Sequence, residues 1–361
     1  MPEGHSVHRI ANQFEQSFVG HRIQTSSPQG RFASGAKRLD GATMVDAKAV
    51  GKQMFLEFDN GLYLHVHLGL YGAWDFAGEI ATGAAMAESR VRRTATRKAE
   101  SATPNEAATH KADDAPEPVA DDDGEHSMSS IGAPRKRRVR MAEQEKQEDD
   151  VESFPPEPIG QVRVRLLSDT AVADLRGPTK CDVLDAEQVD AQIAKLGPDP
   201  LVDSPKKGGD RFVATAHKKR TPIGLQLMDQ SIVSGIGNIY RAELLFRARL
   251  NPHTPGNQVS EDTLRAIWKD WTKLLKSGVE LGQMMTMSGL SKQAYAKALR
   301  SRADRHWVYH REGLPCRVCG THIVMEEAAG RKLYWCPVCQ AGSPSKPTPT
   351  EPPKPEQADA D

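Results

Sequence analysis

The sequence predicts an α+β fold in three ordered parts: an N-terminal two-sheet β-sandwich with an N-terminal helix, a helical domain built on a helix-turn-helix unit, and a C-terminal zinc ribbon hairpin. Three observations predict it. Alternating apolar segments flank a strong hairpin signal, Asp59-Asn60-Gly61, in the first 80 residues. Apolar residues recur at helical spacing between about 222 and 282. Four of the five cysteines fall as C-x2-C-x16-C-x2-C near the end of the chain.

The elements follow in order. In MPEGHSVHRIANQFEQSFVG, residues Val7, Ile10, Ala11, Phe14 and Phe18 share one helical face from a start near Glu3, and Gly20 closes that helix. KQMFLEF and LYLHVHL then read as paired strands, and VRVRLLSD with AVADLR resumes the β pattern after an insert. That insert, about 77–160, has almost no aromatic or β-branched residues to bury and cannot offset its ordering entropy. The proline-rich tail at 341–361 has the same composition problem, so both are expected to stay outside the fold. RKRRVR at 135–140 reads either as a solvated charge run or as an extra non-specific arm for a polyanion.

Helices are expected in PIGLQLMDQ, SIVSGIGN and IYRAELLFRARL, and in LRAIWKDWTKLLKSGVELG, whose Leu264, Ile267, Trp268, Trp271, Leu274 and Leu275 form a stripe. Gly235-Ile236-Gly237-Asn238 joins two of them. Glycines there permit close backbone approach, and Asn238 caps or adjoins a helix N-terminus, where free amides favour an anion; an ordinary helical corner would look the same. In the last part, Cys316, Cys319, Cys336 and Cys339 suit two knuckles holding one structural zinc ion, with two disulfides as the alternative. The turn between the pairs presents Arg331 and Lys332, which serve either as solvated turn residues or as a grip on phosphate. Cys181 stands alone and reads as core or incidental rather than reactive.

Charge and composition narrow the function classes. The chain has 361 residues with 38% hydrophobic, 24 prolines and 48 Lys/Arg against 48 Asp/Glu. The insert carries 12 basic against 18 acidic residues and the tail 2 against 4, which leaves 34 against 26 on the ordered part. A surplus of that sign suits a polyanionic partner. No apolar run has membrane length and no signal-peptide pattern leads the chain, so a soluble cytoplasmic protein without a membrane partner is the expectation.

Six ordered motifs carry a family resemblance: the start MPEG, Gly51-Lys52 before a strand, HLGLYG, LGPDPL at 196–201, MDQSIVSGIGNIYRAELLFR, and CRVCG with GRKLYWCPVCQ. Together they resemble the formamidopyrimidine-DNA glycosylase/endonuclease VIII family, and most closely its actinobacterial endonuclease VIII-like branch. The resemblance implies domains at 1–176 (a catalytic β-sandwich), 177–306 (a helix-two-turn-helix DNA-binding domain) and 307–340 (the zinc finger). It also implies damaged double-stranded DNA as partner, a bacterial nucleoid location and a monomer.

Site residues carry over one by one. Pro2, exposed by removal of Met1, matches the nucleophile that attacks the sugar C1′; an α-amine is about 10–20% neutral at pH 7 against about 0.04% for an ordinary lysine. Glu3, next to it, matches the acid that opens the deoxyribose; in a first helical turn a glutamate otherwise complements the dipole. Lys52 matches the family lysine of the glycosylase and β-elimination steps, and Arg331 the hairpin arginine that grips phosphates and assists δ-elimination. Lys195 and Asn238 match positions on the DNA backbone, and Leu70 with Tyr71 the residues that fill the gap left by a flipped nucleotide. Gly69 departs from the pattern, since a glutamine commonly stands there, which leaves opposite-base preference open.

The expected activity is a bifunctional DNA glycosylase/AP lyase that prefers oxidised pyrimidines and cuts by β,δ-elimination. A purine-directed formamidopyrimidine/8-oxoguanine glycosylase and a non-catalytic zinc protein that binds damaged DNA are the alternatives.

Overall fold

The computed structural model describes residues 2–81, 127–133 and 154–342. Strands β1 (Gln24–Ser26), β2 (Met44–Val50), β3 (Gln53–Phe58), β4 (Leu62–His67), β5 (Ala73–Gly78), β6 (Ser130–Gly132), β7 (Val162–Leu167), β8 (Ala171–Arg176) and β9 (Lys180–Asp185) form two antiparallel sheets, ordered β2-β3-β4-β9 and β1-β7-β8-β5-β6. Helix α1 (Gly4–Ser17) lies along them with Val7, Ile10, Ala11, Phe14 and Phe18 buried, Phe14 meeting Trp74 edge to face at 4.8 Å. A short α2 (Ala33–Leu39) precedes β2. Asp59-Asn60-Gly61 makes the expected hairpin, with Gly61 left-handed at φ 75° as a three-residue loop requires.

Two expectations need correction here. The segment 127–133 belongs to the fold: Ile131 is buried, Trp74 pairs with it, and β6 forms the sheet edge. Helix α1 holds the chain where it leaves and returns, since Gln13 Nε2 donates to the Ala81 carbonyl (3.3 Å), the Ala81 N–H to Ser17 Oγ (3.0 Å) and Arg9 to the Ser127 carbonyl (3.3 Å). A three-residue strand in a polar insert leaves no periodicity to read. Residues 82–126, 134–153 (with RKRRVR) and 343–361 lie outside the described residues. The expected boundary at 176/177 also falls too early. β9 pairs with β4 along its length, and α3 (Ala186–Ile193), opened by an Asp185/Gln188 capping box, packs Val189 on the same sheet beside Phe55 and Tyr63.

The helical domain holds α4 (Pro205–His217), α5 (Ile223–Gln226), α6 (Asn238–Arg247) and α7 (Glu261–Leu281), followed by α8 (Lys292–Arg300). All six stripe residues of α7 are buried, and the helix runs from a Ser260 cap to a left-handed Gly282. PIGLQLMDQ is helical for only four residues, and SIVSGIGN is a chain of tight turns. There the Asp229 carboxylate accepts from both the N–H and the hydroxyl of Ser231, a local bond that competes with the helix ladder.

In the last part β10 (Val324–Ala328) and β11 (Arg331–Trp335) pair across Ala329-Gly330, both at positive φ as a two-residue type I′ turn demands. Glu243 of α6 anchors the approach to this hairpin, accepting from the amides of Trp307, Val308 and Tyr309 at 2.8–2.9 Å and from the Thr286 hydroxyl. Among the described residues no helix is long and apolar enough to cross a membrane.

Candidate active site and nucleic-acid interface

Glu3 ends the chain's extended start and is the N-cap residue of α1, yet its side chain serves another helix. Wholly buried, the carboxylate accepts from Gly237 (2.8 Å), Ile239 (2.8 Å) and Tyr240 (3.3 Å), the free amides at the start of α6. The dipole-complementing role is therefore real but displaced onto a helix more than 230 residues away. Glycine makes the approach possible: a Cβ on Gly237 would lie 2.4 Å from Glu3 Cδ. Close by, Gly4 donates to the Gly235 carbonyl (2.9 Å), and Cβ atoms on Gly4 or Gly51 would run into Gly235 and Ser234. Three backbones thus converge on the Gly235 turn. Pro2 stands at this junction, buried directly ahead of Glu3.

Lys52 sits in the two-residue turn between β2 and β3, behind Gly51 at φ 60°, rather than in the strand itself. Burial pushes its ammonium down to about 8; the charge of Glu3 opposes the shift, and Arg331 and Arg241 add to it. Glu3, Lys52, Arg241 and Arg331 therefore share one electrostatic field although they come from separate parts of the chain. Arg331 is the exposed first residue of β11, next to the hairpin turn. Asn238 is the first residue of α6, with Gly237 as its N-cap. The Asn238 side-chain amide donates to the Lys332 carbonyl (2.7 Å), so it ties the helix to the zinc hairpin.

Leu70 and Tyr71 are 38% and 47% exposed on the β4–β5 loop, an unusual place for two large apolar side chains. Leu68 is buried behind them, and the Gly72 N–H closes the loop on the Leu68 carbonyl at 3.0 Å. Gly69 has a steric reason: φ is 67°, and a Cβ would lie 1.8 Å from Thr179 Oγ1. The position has no room for a glutamine in this backbone. Lys195 is exposed beyond α3, and no described contact joins it to the Glu3–Lys52 cluster.

The four cysteines converge. Their sulfurs lie within 4.8 Å of one another, with Cys316–Cys339 at 3.8 Å and Cys319–Cys336 at 3.5 Å. A tetrahedron with Zn–S bonds of about 2.3 Å has edges of about 3.8 Å, so the thiolate set fits one structural zinc ion with no open position. Cys181 is partly buried against the core of the sheets, and burial pushes its thiol up to about 12.

Sequence reasoning missed several residues here. Arg241 is fully buried and pushed down to about 10 by that burial; it donates to the Lys332 carbonyl (3.0 Å) and to Asn238 Oδ1. Its i+3 spacing from Asn238 was the available signal. His67, half-buried at the end of β4 opposite Gln53 and Lys180, is held below the ordinary imidazole range by burial and then by Lys52 and Lys180. Asp199, inside LGPDPL, is wholly buried and pairs with His8 at 2.8 Å.

Three family models match the chain: the formamidopyrimidine-DNA glycosylase N-terminal domain over residues 1–113, the formamidopyrimidine-DNA glycosylase H2TH domain over 196–289, and the zinc finger found in FPG and IleRS over 313–342. The chain is 34% identical over 342 residues to endonuclease 8 1 of Mycobacterium tuberculosis, covering 94% of this chain and 100% of that protein. Its fold matches Lactococcus lactis formamidopyrimidine-DNA glycosylase bound to DNA containing an AP site, with a TM-score of 0.60 at 20% identity over 94% of this chain and 100% of that one. It matches the MutM protein of Thermus thermophilus equally well, with a TM-score of 0.60 at 21% identity over 95% and 100%. The chain belongs to the formamidopyrimidine-DNA glycosylase/endonuclease VIII family.

Proposed function

We propose that this member of a family of base-excision-repair DNA glycosylases is a bifunctional glycosylase/AP lyase that prefers oxidised pyrimidines and completes the cut by β,δ-elimination, acting as a cytoplasmic monomer. The observation that carries the reading is the convergence of Glu3, Lys52 and Arg331 at the N-terminus of α6, beside Pro2.

With Met1 removed, the secondary amine of Pro2 attacks the sugar C1′ as the damaged base leaves; loss of the nitrogen proton gives a neutral adduct, and cleavage of the C1′–O4′ bond with a proton delivered to O4′ turns it into the iminium (Schiff base). Glu3 moves the proton that opens the deoxyribose ring; its anchoring amides hold the carboxylate against the nucleophile. Lys52, with its proton affinity lowered toward neutrality, is suited to exchange protons during base loss and β-elimination. Arg331 presents a fork to the flanking phosphate and assists δ-elimination by stabilising the negative charge of the departing phosphate. Leu70 and Tyr71 fill the hole left by the extruded nucleotide, while Asn238 and Lys195 meet the DNA backbone. The zinc ion keeps the hairpin rigid and takes no part in the chemistry.

Borohydride reduction during reaction with single-lesion duplexes tests this. The account expects a covalent adduct with thymine glycol and with an abasic site, and weaker trapping with 8-oxoguanine. Stronger trapping with the purine lesion would turn the preference toward purines. Binding without any adduct would make the chain a non-catalytic reader of damage.

A further inference from the structure

The roles above leave unused the one acid of the LGPDPL segment, the wholly buried Asp199. Asp199 Oδ2 accepts from the Gly51 N–H at 2.6 Å and pairs with His8 Nε2 at 2.8 Å, while Oδ1 accepts from the Leu201 N–H at 2.8 Å. Both residues are buried, Asp199 completely. The Asp199 N–H donates to Asp203 Oδ2 (2.8 Å), which closes the segment on itself. The segment is docked in turn on the glycine turn before α6: the Gly197 N–H donates to the Gln230 carbonyl (2.7 Å), the Ser234 N–H to the Pro198 carbonyl (3.1 Å) and the Ser234 hydroxyl to the Gly197 carbonyl (2.8 Å).

One carboxylate therefore joins three elements. His8 lies on α1, five residues beyond Glu3; Gly51 is the residue before Lys52; Asp199 rides on the linker between α3 and α4. Apart from β2 and β3, the Asp199 bond to Gly51 is the polar tie that the described contacts give the Lys52 turn, and its strength depends on a full negative charge at Oδ2. A buried carboxylate keeps that charge only when its acceptor sites are filled. His8 fills one of them.

We propose that His8 and Asp199 are positioning residues for the elimination chemistry: together they fix the Lys52 turn against the helix that carries Pro2 and Glu3. Without the His8 donor, Asp199 is left with an unfilled lone pair, its hold on the Gly51 amide weakens, and the Lys52 peptide turns away from the site. The inference rests on the functional reading above. Glu3, Arg241, Arg331 and His67 are the charged or titratable groups that act on Lys52 from α1, α6, β11 and β4.

The test compares His8→Leu, His8→Gln and Asp199→Asn in the full-length, zinc-loaded protein. Single-turnover cleavage of an abasic duplex is measured from pH 6 to 10, alongside affinity for a tetrahydrofuran duplex that cannot react. In His8→Leu the cleavage rate should fall at least tenfold and the alkaline limb should move upward from near 8, with affinity within twofold of the parent. Gln restores a donor at the same reach, so His8→Gln should recover the rate to within threefold and return the limb. Asp199→Asn should shift the limb as His8→Leu does, which covers a Leu variant that fails to fold. Leu and Gln variants that behave alike, or limbs that stay put in Leu and Asn, would overturn the inference while leaving the function intact. An unmodified protein that traps no adduct would remove the functional reading, and this inference with it.

Discussion

Helix α6 is gripped by two carboxylates in nearly the same way, and the two grips do different work. At its start Glu3 accepts from three backbone amides of the helix and its approach; one and a half turns on, the helix's own Glu243 accepts from three amides that lead into the zinc module. Both side chains are wholly buried. Their neighbours differ. Around Glu243 lie Thr286, Trp307 and Phe246, a satisfied polar core packed in apolar surroundings. Around Glu3 lie Lys52, Arg241 and Arg331, cations whose charges act on one another. On the proposed function the same bond pattern is scaffold in one place and chemistry in the other, because reactivity comes from what the anchored group faces.

Breaking each grip separates the two roles. Glu3→Gln should lower single-turnover excision by about 10²–10⁴-fold, far beyond any loss of folded protein, because a proton-transfer group is removed. Removing zinc, or changing Cys336 to serine, should abolish tight binding to damaged duplex by releasing Arg331, with the N-terminal sheets still folded; circular dichroism and filter binding on the same sample check both halves. Glu243→Gln should cost about 3 kcal/mol of stability, since a buried carboxylate is replaced by a group with donors facing donors. Activity per folded molecule should survive that change, and an additional hundredfold loss would mean that Glu243 also belongs to the site.

The pH profile sharpens the contrast. Lys52 is pushed below its ordinary value, so its acid form is lost as pH rises through about 8, and excision should fall there. The stability term has the opposite sign: the unfolded chain still binds that proton between about 8 and the ordinary lysine value, so Lys52 makes folding more favourable as pH rises through that window. A Lys52→Met variant should lose the limb and flatten the slope, and a limb that persists in it belongs to another group. The smallest effect is expected at the loop: Leu70→Ala or Tyr71→Ala should change stability by less than about 0.5 kcal/mol, because both are largely exposed, while slowing excision about tenfold.

Much of this was legible because it rests on local pattern. The α1 and α7 stripes, the Asp59-Asn60-Gly61 hairpin and the paired cysteines are short-range signals, and each formed where expected. β6 and β9 were missed because their pairing is decided by partners across the sheet, not by their own sequence. In the site, the resemblance supplied Glu3, Lys52 and Arg331. It could not supply the bond from Glu3 to α6, or the His8–Asp199–Gly51 tie, since both join residues about 150 or more positions apart. Gly69 shows the reverse case: a departure in sequence whose cause, the Thr179 side chain, is visible only in three dimensions.

The proposed chemistry begins at Pro2 and not at Lys52. Peptide mass spectrometry of the borohydride-reduced adduct with an abasic duplex tests it directly. The expected result is a deoxyribose remnant on the Pro2 nitrogen and none on Lys52; a remnant on Lys52 with Pro2 unmodified would contradict it.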